Sequence, residues 1–283
     1  GLTLYVDGIA HVGSFVYDTL VGFHHTIEAR NQTIGSTTYT FASWSDGGAQ
    51  QHTITAPSAS QSFTANYTAT VNQAPPALVQ VSAATPQSNQ SQVSVGYISA
   101  QTAGNTNIIA IGWDDTTSNI TSVTDSAGNV YEIAVPVVRG SGISQAIYFA
   151  KNISAAPAGT NTLTVVFDQA AEFVDIRATE YSGLDPVSPF DGGASASGNS
   201  SSASSGTVTT TTANELLFGA GTTGGVFSAA GTDFTSRIIT VPNGGIGEDR
   251  LVTAIGSYAA TAILSAPSFW VMQVATFKSA SQA

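Results

Sequence analysis

A Ser-His-Asp triad needs a histidine, and all four in this chain, His11, His24, His25 and His52, fall in the first 52 residues. A Ser-His-Asp triad in the remainder would have to take its base from that stretch, and no Gly-x-Ser-x-Gly elbow occurs anywhere. His24 and His25 are adjacent, so on a strand they point to opposite faces and cannot ligate one metal together. Glycoside hydrolysis asks instead for two carboxylates facing a cleft. The candidates are Asp114, Asp115, Asp175, Glu180, Asp185, Glu248 and Asp249. Asp114-Asp115 follow Trp113 at an expected strand end, and Glu248-Asp249-Arg250 open another. Acids at such positions ordinarily solvate a loop or form a local ion pair.

Two loops carry oxygens suited to a structural calcium ion, Asp125-Ser126-Ala127-Gly128-Asn129 and Asp185 to Asp191, neither with EF-hand spacing. Asp125, Asn129, Asp185 and Asp191 are the candidate ligands; no cofactor is expected, and a structural calcium ion is the one candidate. Sugar binding by small β-modules relies on exposed aromatic rings beside polar groups. Trp113, Trp270, Tyr181 and Tyr258 are the candidate platforms, set against the ordinary role of core packing; Trp44 is read as structural. The only lysines are Lys151 and Lys278. Lys278, on the expected last strand, is a candidate for an isopeptide crosslink to an Asn or Asp, as in some surface adhesins.

Composition limits what must hold these groups. Hydrophobic residues make up 42% and aromatics 9%, so the chain folds rather than staying disordered, although only 9% of residues are charged. The net charge is -11 and the seven basic residues are scattered singly, which excludes a basic groove for nucleic acid. No cysteine is present, which excludes disulfides, thiolate metal sites and cysteine nucleophiles. No apolar run approaches the roughly 18 residues of a membrane span. The chain opens at Gly1 directly into a strand pattern, Leu2 to Val6, which suits an exported protein after cleavage or an excised fragment.

Strand-like runs separated by turn residues recur throughout, with no convincing helix, so the expected class is all-β. Asp-Gly and Gly-Gly between Tyr39–Trp44 and Gln51–Pro57 read as a β-hairpin. Ala74-Pro75-Pro76-Ala77 breaks the pattern. The expected organisation is two β-sandwich domains in tandem: a small Ig-like module over 1–71, a linker over 72–78, and a larger jelly-roll-like sandwich over 79–283. Residues 194–213, with twelve Ser or Thr in twenty, read as a solvated loop feeding a polar edge strand or as a site for O-linked sugars. Asn31, Asn66, Asn89, Asn119, Asn152 and Asn199 begin Asn-x-Ser/Thr triplets, most of them expected by chance in such a sequence.

Val6-Asp7-Gly8, His25-Thr26-Ile27, Tyr39 to Gly48 and His52 to Pro57, in this order, resemble a short bacterial β-sandwich module found appended in secreted hydrolases, adhesins and surface proteins. Val123 to Tyr131, Glu180 to Asp185 and Trp270 to Gln273 more loosely resemble a lectin-like or Ig-like domain of environmental bacterial exoproteins. Neither resemblance implies a catalytic residue. The expectation is a non-catalytic, secreted or cell-surface structural and adhesive protein, a subunit of a self-assembling filament or layer. The alternative is a carbohydrate-binding accessory region of a secreted glycoside hydrolase or adhesin. A much weaker third reading is an enzyme using loop carboxylates. The expected partners are copies of the chain, through addition of strand 2–6 to a neighbour's sheet, or polysaccharide. Such a contact, or packing against a neighbouring subunit, would also tie down the polar C-terminal residues 279–283.

Overall fold

A computed structural model describes residues 1–35, 37–71 and 74–280. The described chain is all-β and divides into two compact units, Gly1–Gln73 and Ala74–Ser281. Asn72 and Gln73, which begin the expected linker, and the C-terminal residues 281–283 lie outside the described residues.

The first unit contains β1 (Thr3–Val6), β2 (Ile9–Val12), β3 (His24–Glu28), β4 (Gln32–Ile34), β5 (Thr37–Trp44), β6 (Gln51–Thr55) and β7 (Ala65–Val71). Two antiparallel sheets, β2-β1-β3-β6 and β4-β5-β7, enclose Val6, Ile27, Ala29 and Trp44. Two expectations fail here. The segments around Ser45–Gly48 do not form a hairpin: β5 pairs with β4 and β7, and β6 pairs with β3. The turn is a corner that carries the chain from one sheet to the other. Asp46 Oδ1 accepts from Gly48 N at 3.0 Å, and Trp44 Nε1 donates to Gln50 O at 3.1 Å, so local bonds close the turn without a ladder between the strands. Nor is strand 2–6 free to join another molecule. β1 lies inside its sheet, paired with β2 on one side and β3 on the other. The unpaired edges of this sheet are β2 and β6.

The second unit runs through β8 (Ala77–Ala84), β9 (Gln90–Gly96), β10 (Thr106–Trp113), β11 (Ile120–Asp125), β12 (Glu132–Arg139), β13 (Ser144–Ala150), β14 (Thr162–Ala171) and β15 (Asp175–Ser182). It continues with β16 (Phe190–Ser204), β17 (Val208–Thr209), β18 (Glu215–Thr223), β19 (Phe227–Ala230), β20 (Thr235–Ile239), β21 (Ile246–Val252), β22 (Ser257–Tyr258) and β23 (Thr261–Lys278). The two runs of eight repeat one topology. The first makes a sheet β12-β13-β10-β15-β8 and the second β20-β21-β18-β23-β16, the same positions in the same order. The smaller sheet β11-β14-β9 has its counterpart in the ribbon β17-β22, with β19 on the long strand β23. First strand beside last, with the intervening strands shared between two sheets, is jelly-roll connectivity.

The two jelly rolls pack through their large sheets. Ile108, Ala110, Ile147 and Phe149 of the first meet Leu216, Phe218, Ala220 and Phe277 of the second, and each jelly roll keeps its own core on the opposite face. The central strands are therefore buried on both faces, which is why β10 (TNIIAIGW) and β18 (ELLFGAGTT) lack alternation. The Ser/Thr-rich tract is not a loop over 194–204. It forms most of the edge strand β16, with alternating half-buried and exposed positions.

Candidate functional site

One end of the second unit carries an open cavity of about 220 Å³ lined by Gln87, Asp114, Phe173, Thr223, Gly224, Gly225, Pro242 and Asn243. Five connections build it. Asp114 directly follows β10, and its N–H donates to Glu172 O at 2.8 Å, which holds the β10 end against the β14–β15 link. Phe173 in that link has φ 43°, a conformation sparsely used by residues with a side chain, and its ring is 40% exposed. Asn243 Nδ2 donates to Phe173 O at 2.9 Å, and Gln87 Nε2 donates to Asn243 Oδ1 at 2.6 Å. Thr223 Oγ1 donates to Phe269 O at 2.7 Å and fixes the Gly224-Gly225 turn. A Cβ on Gly224 would press on the Phe269 ring, which would have to shift.

Behind the wall, Thr240 Oγ1 donates to Asp175 at 2.6 Å. Arg177, fully buried, donates to Gly221 O and Ile246 O at 2.6 Å each and to Gln145 and Thr222 at 3.0 Å. The floor is thus held by internal bonds, with Asp175 Oδ1 and Arg177 Nε left as an ion pair at 3.5 Å and without a hydrogen bond. Asp114 differs: among the described residues its half-buried carboxylate has no hydrogen-bond partner. Burial, then the charges of Asp175, Glu172 and Asp115, raise its pKa to about 6. Asp115 beside it is committed, accepting from the amides of Thr117 and Ser118 and the hydroxyl of Ser118. Among the lining residues Asp114 is the only acid, whereas glycoside hydrolysis takes two. A free carboxylate, side-chain amides and an exposed ring suit a ligand rich in hydroxyl donors.

The aromatic residues expected to form a platform are elsewhere and mostly buried. Trp113 and Tyr181 are 0% exposed and Trp270 8%. Trp113 packs edge-on to Phe167 at 5.4 Å in the first jelly-roll core, and Tyr181 donates to Asp249 at 2.7 Å. Trp270 donates to Ser200 Oγ at 3.0 Å, and Tyr258 to Ala254 O at 2.7 Å. The doubly buried strands that carry Trp113, Tyr181 and Trp270 leave no ring face for a sugar. The expected calcium ligands do not converge either. Asp125 accepts from the Asn129 amide and side chain, Tyr131 and Asn161. Asp185 caps Val187 N and Ser188 N, and Asp191 faces Thr211 and Lys278. Among the described residues, no three His, Asp or Glu side chains are grouped to hold a metal.

In the first unit, Asp7, His25 and Thr19 form a chain of hydrogen bonds that the sequence reading did not find. His25 Nδ1 is 2.7 Å from Asp7 Oδ2, and Nε2 is 2.7 Å from Thr19 Oγ1. A carboxylate only accepts, so Nδ1–H donates to Asp7 and, in the neutral ring, Nε2 accepts from Thr19. Its visible effect is to tie the 14–22 loop to β3, while Tyr17 packs edge-on to His25 at 5.1 Å. The adjacency of His24 and His25 gave no hint of it, because Asp7 and Thr19 come from other elements.

No family model, curated protein or solved structure matches the chain. Its fold and its cavity define its class: an all-β protein with a duplicated jelly roll and an open polar cavity at the sheet ends.

Proposed function

We infer that this chain is a non-catalytic adhesive protein of the cell surface or extracellular space, and that the Asp114 cavity holds a polyhydroxylated ligand, a glycan unit. The observation that carries this is the half-buried Asp114 carboxylate, the one acid of the lining, which has no hydrogen-bond partner among the described residues. Ligand hydroxyls would donate to it while Phe173 covers an apolar sugar face. A net charge of -11 with scattered basic residues agrees with a role away from nucleic acid. A hydrogen bond to a charged group contributes about 1.5–3 kcal/mol. Asp114→Ala is therefore expected to weaken retention on a polysaccharide or glycan array about 10–100-fold, and binding to fade below pH about 6 as the carboxylate protonates. Unchanged binding by Asp114→Ala, or no binding to any glycan, counts against the site. Hydrolysis of an activated ester that disappears in Thr19→Ala would overturn the non-catalytic reading, since Thr19, His25 and Asp7 have the order of a nucleophile relay.

A second reading, self-assembly, has its own support. The unpaired edge β2 and the chain after it expose Ile9 (62%), Val12 (69%), Val16 (89%), Leu20 (66%) and Phe23 (54%). Such an edge is a template for a strand from another molecule.

A further inference from the structure

At the opposite end of the second jelly roll's sheet, three side chains from neighbouring strands meet. Asp191 begins β16, Lys278 ends β23 and Glu215 begins β18, and Glu215 stands directly across from Lys278 in the ladder. Lys278 Nζ lies 3.4 Å from Asp191 Oδ1. Thr211 holds the Asp191 carboxylate, its amide donating to Oδ2 at 2.6 Å and its hydroxyl to Oδ1. Glu215 Oε1 accepts from the Thr212 amide at 3.0 Å and hydroxyl at 2.8 Å, while Oε2 is buried without a donor. The backbone is fixed as well: Lys278 N donates to Pro189 O at 2.7 Å and Ser279 N to Asn214 O at 3.2 Å. The Asp191 side chain is only 3% exposed and Glu215 is fully buried.

We propose that Lys278 and Asp191 condense into an intramolecular amide that joins the first and last strands of the second jelly roll, with Glu215 carrying the protons. The reaction is balanced without a co-reactant. The lysine ammonium gives a proton to the Asp191 carboxylate that it faces at 3.4 Å, and the freed Nζ attacks Asp191 Cγ while Glu215, beside Asp191, relays the protons to the departing oxygen. Nζ–Cγ forms, a Cγ–O bond breaks, and the oxygen leaves with two protons as water. An ion pair has become an amide plus one water. Proximity supplies the drive, because Thr211 fixes the Asp191 carboxylate and backbone bonds to Pro189 and Asn214 fix the strand end that carries Lys278. Burial keeps water from the Asp191 carboxylate, while the Lys278 side chain stays 27% exposed. Glu215 is suited to the shuttle: burial and the neighbouring Asp191 charge raise its pKa against the bonds from Thr212. The acid proton then lies on Glu215, beside the carboxylate that must lose oxygen.

The inference stands on this cluster alone and does not depend on the glycan reading. The test is the intact mass of the purified full-length chain. The wild type is expected to weigh one water less than its sequence, and proteolysis should release a branched peptide joining Asp191 to Lys278. Lys278→Arg, which keeps the charge, and Glu215→Gln should both show the full mass with an unchanged far-ultraviolet β spectrum. Full mass in the wild type after prolonged incubation at neutral pH overturns the proposal. So does a loss of water that persists in Lys278→Arg, because the Asp191-Gly192 step can itself dehydrate to a succinimide. A crosslink formed equally well by Glu215→Gln removes the role assigned to Glu215.

Discussion

Glu248 shows what burial does to one residue. It lies on β21, fully buried, with Oε2 accepting from Gly231 N at 3.0 Å and Oε1 lacking any donor. Burial, opposed by that one bond and supported by the Asp249 charge, raises its pKa to about 8. The sign follows. Between the ordinary value of about 4.5 and about 8, the folded protein keeps a proton that the unfolded chain has released. Stability conferred by the neutral carboxyl is complete at the acid end of that window and is lost as pH rises through about 8, by a few kcal/mol. Chemical denaturation from pH 5 to 9 should show this decline, and Glu248→Gln should flatten it. A wild-type stability that rises over that range would refute the account. Asp114 contrasts with it. Its raised value comes with partial exposure to a cavity, where a ligand rather than the protein can satisfy it.

Elements decide which surfaces are available. β1, expected to add to a neighbour's sheet, is held between β2 and β3, and the sheet edge beside it is β2. Self-association is therefore predicted to depend on β2 and not on residues 2–6. Val12→Lys, which puts a charge on the exposed edge, should shift any oligomer seen by sedimentation to monomer with little change in stability. An oligomer that survives Val12→Lys would show that another surface holds it together. The hairpin expected at Trp44 failed for a reason that also lies in the elements. Asp-Gly signals a tight turn, but a turn in a sandwich can join strands of the same sheet or of facing sheets. Which of these occurs depended on β4 and β7 occupying both sides of β5.

In the larger unit, two jelly rolls share one apolar layer with a polar plug. Arg177 of β15 crosses that layer to reach the carbonyls of Gly221 and Ile246, while Gln145 Nε2 donates to Ala220 O at 2.8 Å. Burial lowers the Arg177 pKa against the pull of Asp175, whose Oδ1 is 3.5 Å away. Removing one member of such a buried group leaves the others without partners, so Arg177→Ala is expected to cost about 3–5 kcal/mol. Calorimetry should show the loss in the transition of the larger unit, leaving that of the smaller unit, with its separate Trp44 core, in place. A change below about 1 kcal/mol would mean that the apolar layer alone holds the two jelly rolls together. An Asp191–Lys278 amide would add to the same unit by restricting its unfolded chain, on the order of 4 kcal/mol for a loop of that length by analogy with a disulfide.

By itself the sequence settled the class. Dense apolar runs, turn residues and the absence of helical periodicity leave only packed sheets, because local polarity decides whether a strand can be buried. The exclusion of cysteine chemistry and of a basic groove was equally local, a matter of which atoms are present. The sequence also marked Lys278, although not Asp191 or Glu215 as its neighbours. Tertiary structure decided everything that rests on who lies beside whom: the repeated strand order, the corner at Trp44, the edge at β2, the burial of Trp113 and Tyr181, and the Asp114 cavity. A strand's own pattern reports that its faces are covered, whereas its partners are set by long-range pairing that a one-dimensional pattern does not encode. Asp114 and Asp115 are identical neighbours in the chain; only the fold gives one a full set of donors and leaves the other facing solvent.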